Sequence, residues 1–190
     1  MNRNNSSSMV ISALLCAIGI IIPIISPLKI TLEPASFTLA SHVAIFIAMF
    51  ISPASALFVA AGTAAGFMIA GFPIVIVLRA ATHIVFATLG AIYLKKNPNA
   101  LNSFKSSQIF SLAIGVLHGI SEVLIVMPFY FGNNMSSAYY VKGFIVSVIL
   151  LVGVGTVVHS MVDFYLAKAI WKPVTKAVKI PIDVSVKYNA

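Results

Sequence analysis

Apolar positions along this chain fall into long blocks, over residues 9–26, 35–51, 54–70, 73–94, 108–131 and 143–171, with short polar stretches between them. Each block approaches or exceeds the ~20 residues that a helix needs to cross a bilayer, so the pattern predicts six membrane-spanning helices. Turn residues mark the boundaries: Pro27, Ser52-Pro53, Gly71-Phe72-Pro73, the polar loops 97–107 and 132–142, and Pro173, which is expected to stop the last helix. That last block is longer than a bilayer requires, so it must tilt or project. The second block is polar at its start, with Ser36, Thr38, Ser41 and His42, and wholly apolar afterwards.

Composition agrees with the pattern. Of 190 residues, 60% are hydrophobic and 8% charged, and the mean hydropathy is +1.05, more apolar surface than a soluble domain of this size could hide. The expected fold is an all-α integral membrane protein, a single transmembrane domain built as a bundle of six helices, with a basic cytoplasmic tail over residues 172–190. The first block could be read as a signal peptide, but no small-residue cleavage site follows it, so it is expected to stay as a helix.

The net charge of +8 would suit nucleic acid if it were clustered, but its placement is a topology signal instead. With the amino terminus in the cytoplasm, Arg3, Lys95, Lys96, Lys105, Lys168, Lys172, Lys176, Lys179 and Lys187 fall inside, and only Lys29 and Lys142 outside. This positive-inside bias predicts that both termini are cytoplasmic and that nucleic acid is not a partner. Small residues four apart, Ala13 and Ala17, Gly62 and Gly66, Gly115 and Gly119, predict faces where helices approach closely.

Candidate chemistry lies in the charged and imidazole residues inside the apolar blocks. An arginine at the middle of a span costs roughly 2.5 kcal/mol or more, so Arg79 needs a partner or a ligand. Three helices carry polar pairs four residues apart, hence on one face: Arg79 with His83, His118 with Glu122, His159 with Asp163. At ~1.5 Å of rise per residue, Arg79 lies roughly 10 Å from the outer end of its helix, Glu122 about 13 Å, His83 about 16 Å and His118 about 20 Å. These four are expected to converge below the outer face. His159, about 24 Å deep on the same count, and Asp163 are expected to form a separate helix-to-helix contact near the cytoplasmic side.

Arg79 has two compatible roles, a bidentate clamp for a carboxylate ligand and an ion pair with Glu122. His83 and His118 are read either as satisfied interior histidines or as ligand contacts. The same residue types would suit zinc or nickel, but Arg79 among the donors repels a cation and no His-Glu-x-x-His or cysteine cluster accompanies them, so no metal is expected. No Gly-x-Ser-x-Gly nucleophile and no Gly-x-x-x-x-Gly-Lys-Ser/Thr phosphate loop occurs, so neither hydrolase chemistry nor ATP hydrolysis is expected of this chain, and no cofactor.

The Ala13-x-x-x-Ala17 pair, six segments in 190 residues, an inward amino terminus and a ligand-sized loop after the first helix together resemble the substrate-binding S components of energy-coupling factor (ECF) vitamin transporters, over essentially the whole chain. Within that family, Leu32-Glu33-Pro34-Ala35-Ser36-Phe37-Thr38-Leu39-Ala40-Ser41-His42 and Phe72-Pro73-Ile74-Val75 are most similar to the members assigned to niacin. Metal-transporting relatives would carry a histidine at the extreme amino terminus, whereas this chain starts Met1-Asn2-Arg3.

The resemblance implies a non-enzymatic subunit of the bacterial plasma membrane that binds a vitamin near its outer face under a lid formed by the loop after helix one. Delivery would follow toppling in the bilayer, driven by a transmembrane T component and two ATPase subunits, with Ala13 and Ala17 as the docking surface. Nicotinate is the expected ligand, held by Arg79 with His83, His118 and Glu122 in support and Glu33, Asn133, Asn134 and Tyr139 at the rim. Pantothenate, pyridoxine or a pyrimidine precursor in the same role, a stand-alone carrier relaying protons through the buried histidines, and a ligand-free scaffold are the alternatives.

Overall fold

The computed structural model describes residues 3–32, 35–177 and 180. Helix α1 (Arg3–Ile25) leads into an antiparallel pair of strands, β1 (Lys29–Leu32) and β2 (Ala35–Thr38). Helices α2 (Val43–Ile51), α3 (Pro53–Ile69), α4 (Ile74–Lys96) and α5 (Phe104–Phe131) follow. A one-turn helix, α6 (Ser137–Val141), precedes the long α7 (Ile145–Ala177). Among the described residues four helices are long and apolar enough to cross a membrane, namely the Ser6–Ile25 part of α1, α4, α5 and α7, and α3 is a shorter apolar helix.

The second predicted helix, 35–51, is a strand and a turn over its first half. β2 pairs with β1 in the register Ile30 opposite Phe37 and Thr31 opposite Ser36, and the helix begins only at Val43. Two physical causes are visible. Ala40 sits at φ 68°, outside helical space. The carboxylate of Asp163 on α7 also accepts the backbone N–H groups of Ala40 (2.8 Å) and His42 (2.9 Å), fixing the turn instead of a helical ladder. What remains of α2 is about 14 Å long, less than half a hydrocarbon core of roughly 30 Å. It is enclosed by the bundle: α1, α3, α4 and α7 all pack on it, and every residue but Ile47 is buried.

Aromatic rings around α2 form the centre of the core. Phe46 meets Phe86 and Phe164 at centroid distances of 5.7 and 5.5 Å, and Phe50 meets Phe164 and Trp171 at 5.9 and 5.8 Å. Small residues let the helices close around it. On α5, a Cβ placed on Gly119 would lie 2.7 Å from the carbonyl oxygen of Gly153 on α7, a contact only glycine permits. The inner face of α1 uses Ser12, Leu15 and Gly19, whereas Ala13 and Ala17 are exposed on its outer side among Leu14 and Ile18.

Helix α7 departs from expectation twice. It is wound as a π-helix over Ile145–Val154 before becoming an α-helix at Gly155. It also continues through Pro173 to Ala177 instead of stopping there. The hydroxyl of Thr175 donates to the carbonyls of Trp171 and Lys172, both at 3.1 Å, which adds side-chain bonds to this last turn.

Candidate functional site

At the end of the bundle carrying the β1–β2 pair and the α3–α4 turn lies a cavity of about 130 Å³. Drug-sized ligands occupy roughly 300–1,000 Å³, so this space suits a single small ring. Its apolar walls are Phe37 of β2, Ile45 of α2, Phe67 at the end of α3, Phe72, and Ile76 of α4; its polar lining is Thr38, Ser41, His42, Thr63, Arg79, His83, Glu122, Thr156 and His159. Phe67 and Phe72 stack at 4.7 Å across the α3–α4 turn. Phe37 stands against Gly155, where a Cβ would come within 2.6 Å of its ring, and lies 5.5 Å from the His159 ring. The missing side chain at Gly155 is thus what lets β2 settle over the cavity.

Arg79 and Glu122 meet as the depth estimate expected. Arg79 Nη2 donates to Glu122 Oε2 at 2.8 Å, and the Thr156 hydroxyl donates to the same oxygen at 2.7 Å. The contact is single: Arg79 Nε has no hydrogen-bond partner, so the guanidinium fork is not filled by the glutamate. The other glutamate oxygen faces His118 Nε2 at 3.5 Å and His83 Nε2 at 3.7 Å.

The His159–Asp163 pair is not separate from this group, as the sequence suggested, but joins it. Asp163 is fully buried, and its Oδ2 lies 3.1 Å from His42 Nδ1 and 3.3 Å from His159 Nε2. Ser41 Oγ bonds His159 Nε2 at 3.0 Å. The π-wound start of α7 explains the error. Wider turns advance less per residue, so His159 sits higher in the bundle than ~1.5 Å per residue placed it.

His42 is the residue that the sequence reading left out of the site. It caps α2 and packs edge-on against His83 (4.7 Å), His118 (4.8 Å) and His159 (5.0 Å). Its position at the polar start of an otherwise apolar block was the available signal. Both ring nitrogens of His83 and of His118 are buried without a well-formed hydrogen bond, and each such group costs about 1–3 kcal/mol. Gathered in one cluster, such groups make it a candidate site for a ligand.

The expected rim residues are not on the cavity wall. Asn133 and Asn134 are exposed in the turn after α5, where Asn133 takes a left-handed conformation (φ 57°). Tyr139 of α6 is buried against Val126, Val148 and Val152. Burial raises its phenol above the ordinary tyrosine range, and the nearby Arg79 pulls in the opposite direction. Glu33 lies outside the described residues.

No family model matches the chain, and no solved structure matches it. Among curated proteins, the niacin transporter NiaX of Lactococcus lactis subsp. cremoris (strain MG1363) is 41% identical over 177 residues, which covers 93% of this chain and 78% of the relative. The apolar helices, the polar cavity between them and this identity over nearly the full length together place the chain: it is a multi-pass plasma-membrane protein and belongs to the family of the niacin transporter NiaX.

Proposed function

We propose that this chain is the substrate-binding subunit of an ATP-driven vitamin importer and that it takes nicotinate in the cavity beneath β2. The observation that carries this reading is Arg79, held by one hydrogen bond to Glu122 beside a cavity sized for one ring. A guanidinium with donors to spare grips a carboxylate. Phe37, Phe67 and Phe72 offer faces to an aromatic ring, and Ser41, His42 and His159 offer partners to its nitrogen. The name of the relative, a niacin transporter, supports the same ligand.

In this reading the bundle crosses the membrane six times, with α2 and its preceding strands completing the second passage. Both termini are cytoplasmic, the cavity opens outward, and β1–β2 acts as its lid. Transport energy comes from partners, a transmembrane T component and two ATPases, since the chain lacks a phosphate loop of its own. The exposed Ala13 and Ala17 form a close-approach surface suited to the T component.

Calorimetric titration of the purified chain with nicotinate, nicotinamide, pantothenate and pyridoxine tests the ligand. Nicotinate should bind tighter than about micromolar, roughly 8 kcal/mol, and tighter than the uncharged amide; equal affinity for both would remove the carboxylate clamp. The buried cluster of His42, His83, His118 and His159 favours a second reading, a self-sufficient carrier that relays protons. Uptake of labelled nicotinate that persists in cells lacking the T component and ATPases would select it.

A further inference from the structure

Three helices each send one imidazole to a single point. His42 from the cap of α2, His83 from α4 and His118 from α5 have pairwise ring-centroid distances of 4.7, 4.8 and 4.8 Å, with the rings inclined at 75°, 76° and 87° to one another. A donor nitrogen from each lies within 4.8 Å of the other two. Nitrogens bound to one tetrahedral ion at about 2.0–2.1 Å would stand roughly 3.3 Å apart, so small ring rotations complete the geometry. We infer that His42, His83 and His118 form a binding site for a divalent transition-metal ion of the zinc class at the floor of the cavity.

Independent observations support the site. His83 and His118 are buried, 6% and 0% exposed; neither Nδ1 has a hydrogen-bond partner, and each Nε2 has only a long contact to Glu122 Oε1, 3.7 and 3.5 Å. A protein interior rarely leaves such groups unpaired, and coordination would satisfy them. His42 is already arranged as metal-binding imidazoles are: its Nδ1 faces the Asp163 carboxylate at 3.1 Å, which leaves Nε2 for the ion. Glu122 Oε1 stands beside the Nε2 atoms of the other two rings.

Arg79 argued against a metal when only its spacing was known. In the fold its charge is matched by Glu122 at 2.8 Å, and Asp163 adds a second carboxylate next to His42. With two carboxylates, Glu122 and Asp163, beside the histidines, the single guanidinium does not set the sign of the local field, so its presence does not exclude a cation. Three neutral imidazoles select zinc, copper or nickel over magnesium or calcium. His42 and His83 line the cavity while His118 lies behind them, so the ion's fourth position faces the cavity. Water, or a nitrogen or carboxylate of a small ligand, would fill it. The site stands whether or not nicotinate is the ligand.

The test uses the full chain in detergent, stripped with a chelator and titrated with Zn²⁺ alone against a chromophoric competitor. One Zn²⁺ per chain should bind with a dissociation constant below about micromolar. His83→Gln and His118→Gln should each weaken it at least tenfold, and His159→Gln should leave it within a few fold. Absence of stoichiometric binding in monodisperse wild-type protein overturns the inference. So does a loss confined to His159→Gln, which would move the ion to the His42, His159 and Asp163 group. Should His83→Gln or His118→Gln misfold, Co²⁺ bound to the wild-type and His159→Gln chains decides: intense tetrahedral visible bands in both support the three-imidazole site, and weak octahedral bands in the wild type, or loss of the tetrahedral bands in His159→Gln, refute it.

Discussion

Asp163 holds His42 twice, accepting its backbone N–H at 2.9 Å and facing its Nδ1 at 3.1 Å, across 121 positions of sequence. Its other oxygen takes the N–H of Ala40. One buried carboxylate therefore sets both where α2 begins and how His42 is aimed. Asp163→Ala leaves buried backbone donors unpaired at about 1–3 kcal/mol each. Its thermal midpoint, read from the emission of the buried Trp171, should fall clearly below wild type. Asp163→Asn, which retains one acceptor, should fall less. A midpoint unchanged in Asp163→Ala would mean that the turn is held by something other than this carboxylate.

Arg79→Lys separates the two roles of the arginine. Lysine keeps the charge beside Glu122 but loses the planar fork, so it preserves an ion pair better than a carboxylate clamp. Nicotinate affinity should drop about tenfold or more, at least 1.4 kcal/mol, with a small change in thermal stability. The reverse result, unaltered affinity and a large stability loss, assigns Arg79 to the structure alone. Alanine is the poorer choice, because it leaves Glu122 buried without a counter-charge at roughly 3–5 kcal/mol.

Arg79 and Glu122 were legible in the sequence because both sit on regular helices, where a constant rise per residue converts position into depth. His159 and Asp163 were not, because the π-wound segment Ile145–Val154 breaks that conversion and no residue pattern announces it. The strands were missed for a related reason. Residues 29–38 read as a loop followed by a helix start, although Lys29–Leu32 and Ala35–Thr38 are two short β-compatible runs two residues apart, which is hairpin spacing. His42 depended on both errors. Its role follows from a turn held by Asp163, a tertiary contact that local pattern does not encode.

Gly155 is predicted to act through Phe37. A methyl group there would lie 2.6 Å from the phenyl ring, which must swing away from its place over His159 and the cavity. The ring is the far end of a side chain on a two-strand element, so the fold can absorb the shift and stability should change little. Ligand affinity should fall several-fold in Gly155→Ala. Restoring space by adding Phe37→Leu should recover part of it. Equal affinity in Gly155→Ala and wild type would show that Phe37 does not cover the ligand.

Ala13 and Ala17 offer the sharpest separation of binding from transport. Both are exposed, while the neighbouring Ser12, Leu15 and Gly19 make the contacts within the chain, so enlarging the alanines disturbs no interior packing. A stripe of small residues on a membrane helix is useful where another helix must come close, and a bulky side chain keeps that partner away. The pair Ala13→Phe and Ala17→Phe should therefore leave nicotinate affinity and thermal midpoint of the isolated chain at wild-type values. In cells containing the T component and ATPases, the same variant should lose most uptake and fail to co-purify with the T component. Full uptake by that variant would place the partner's docking surface on another face of the bundle.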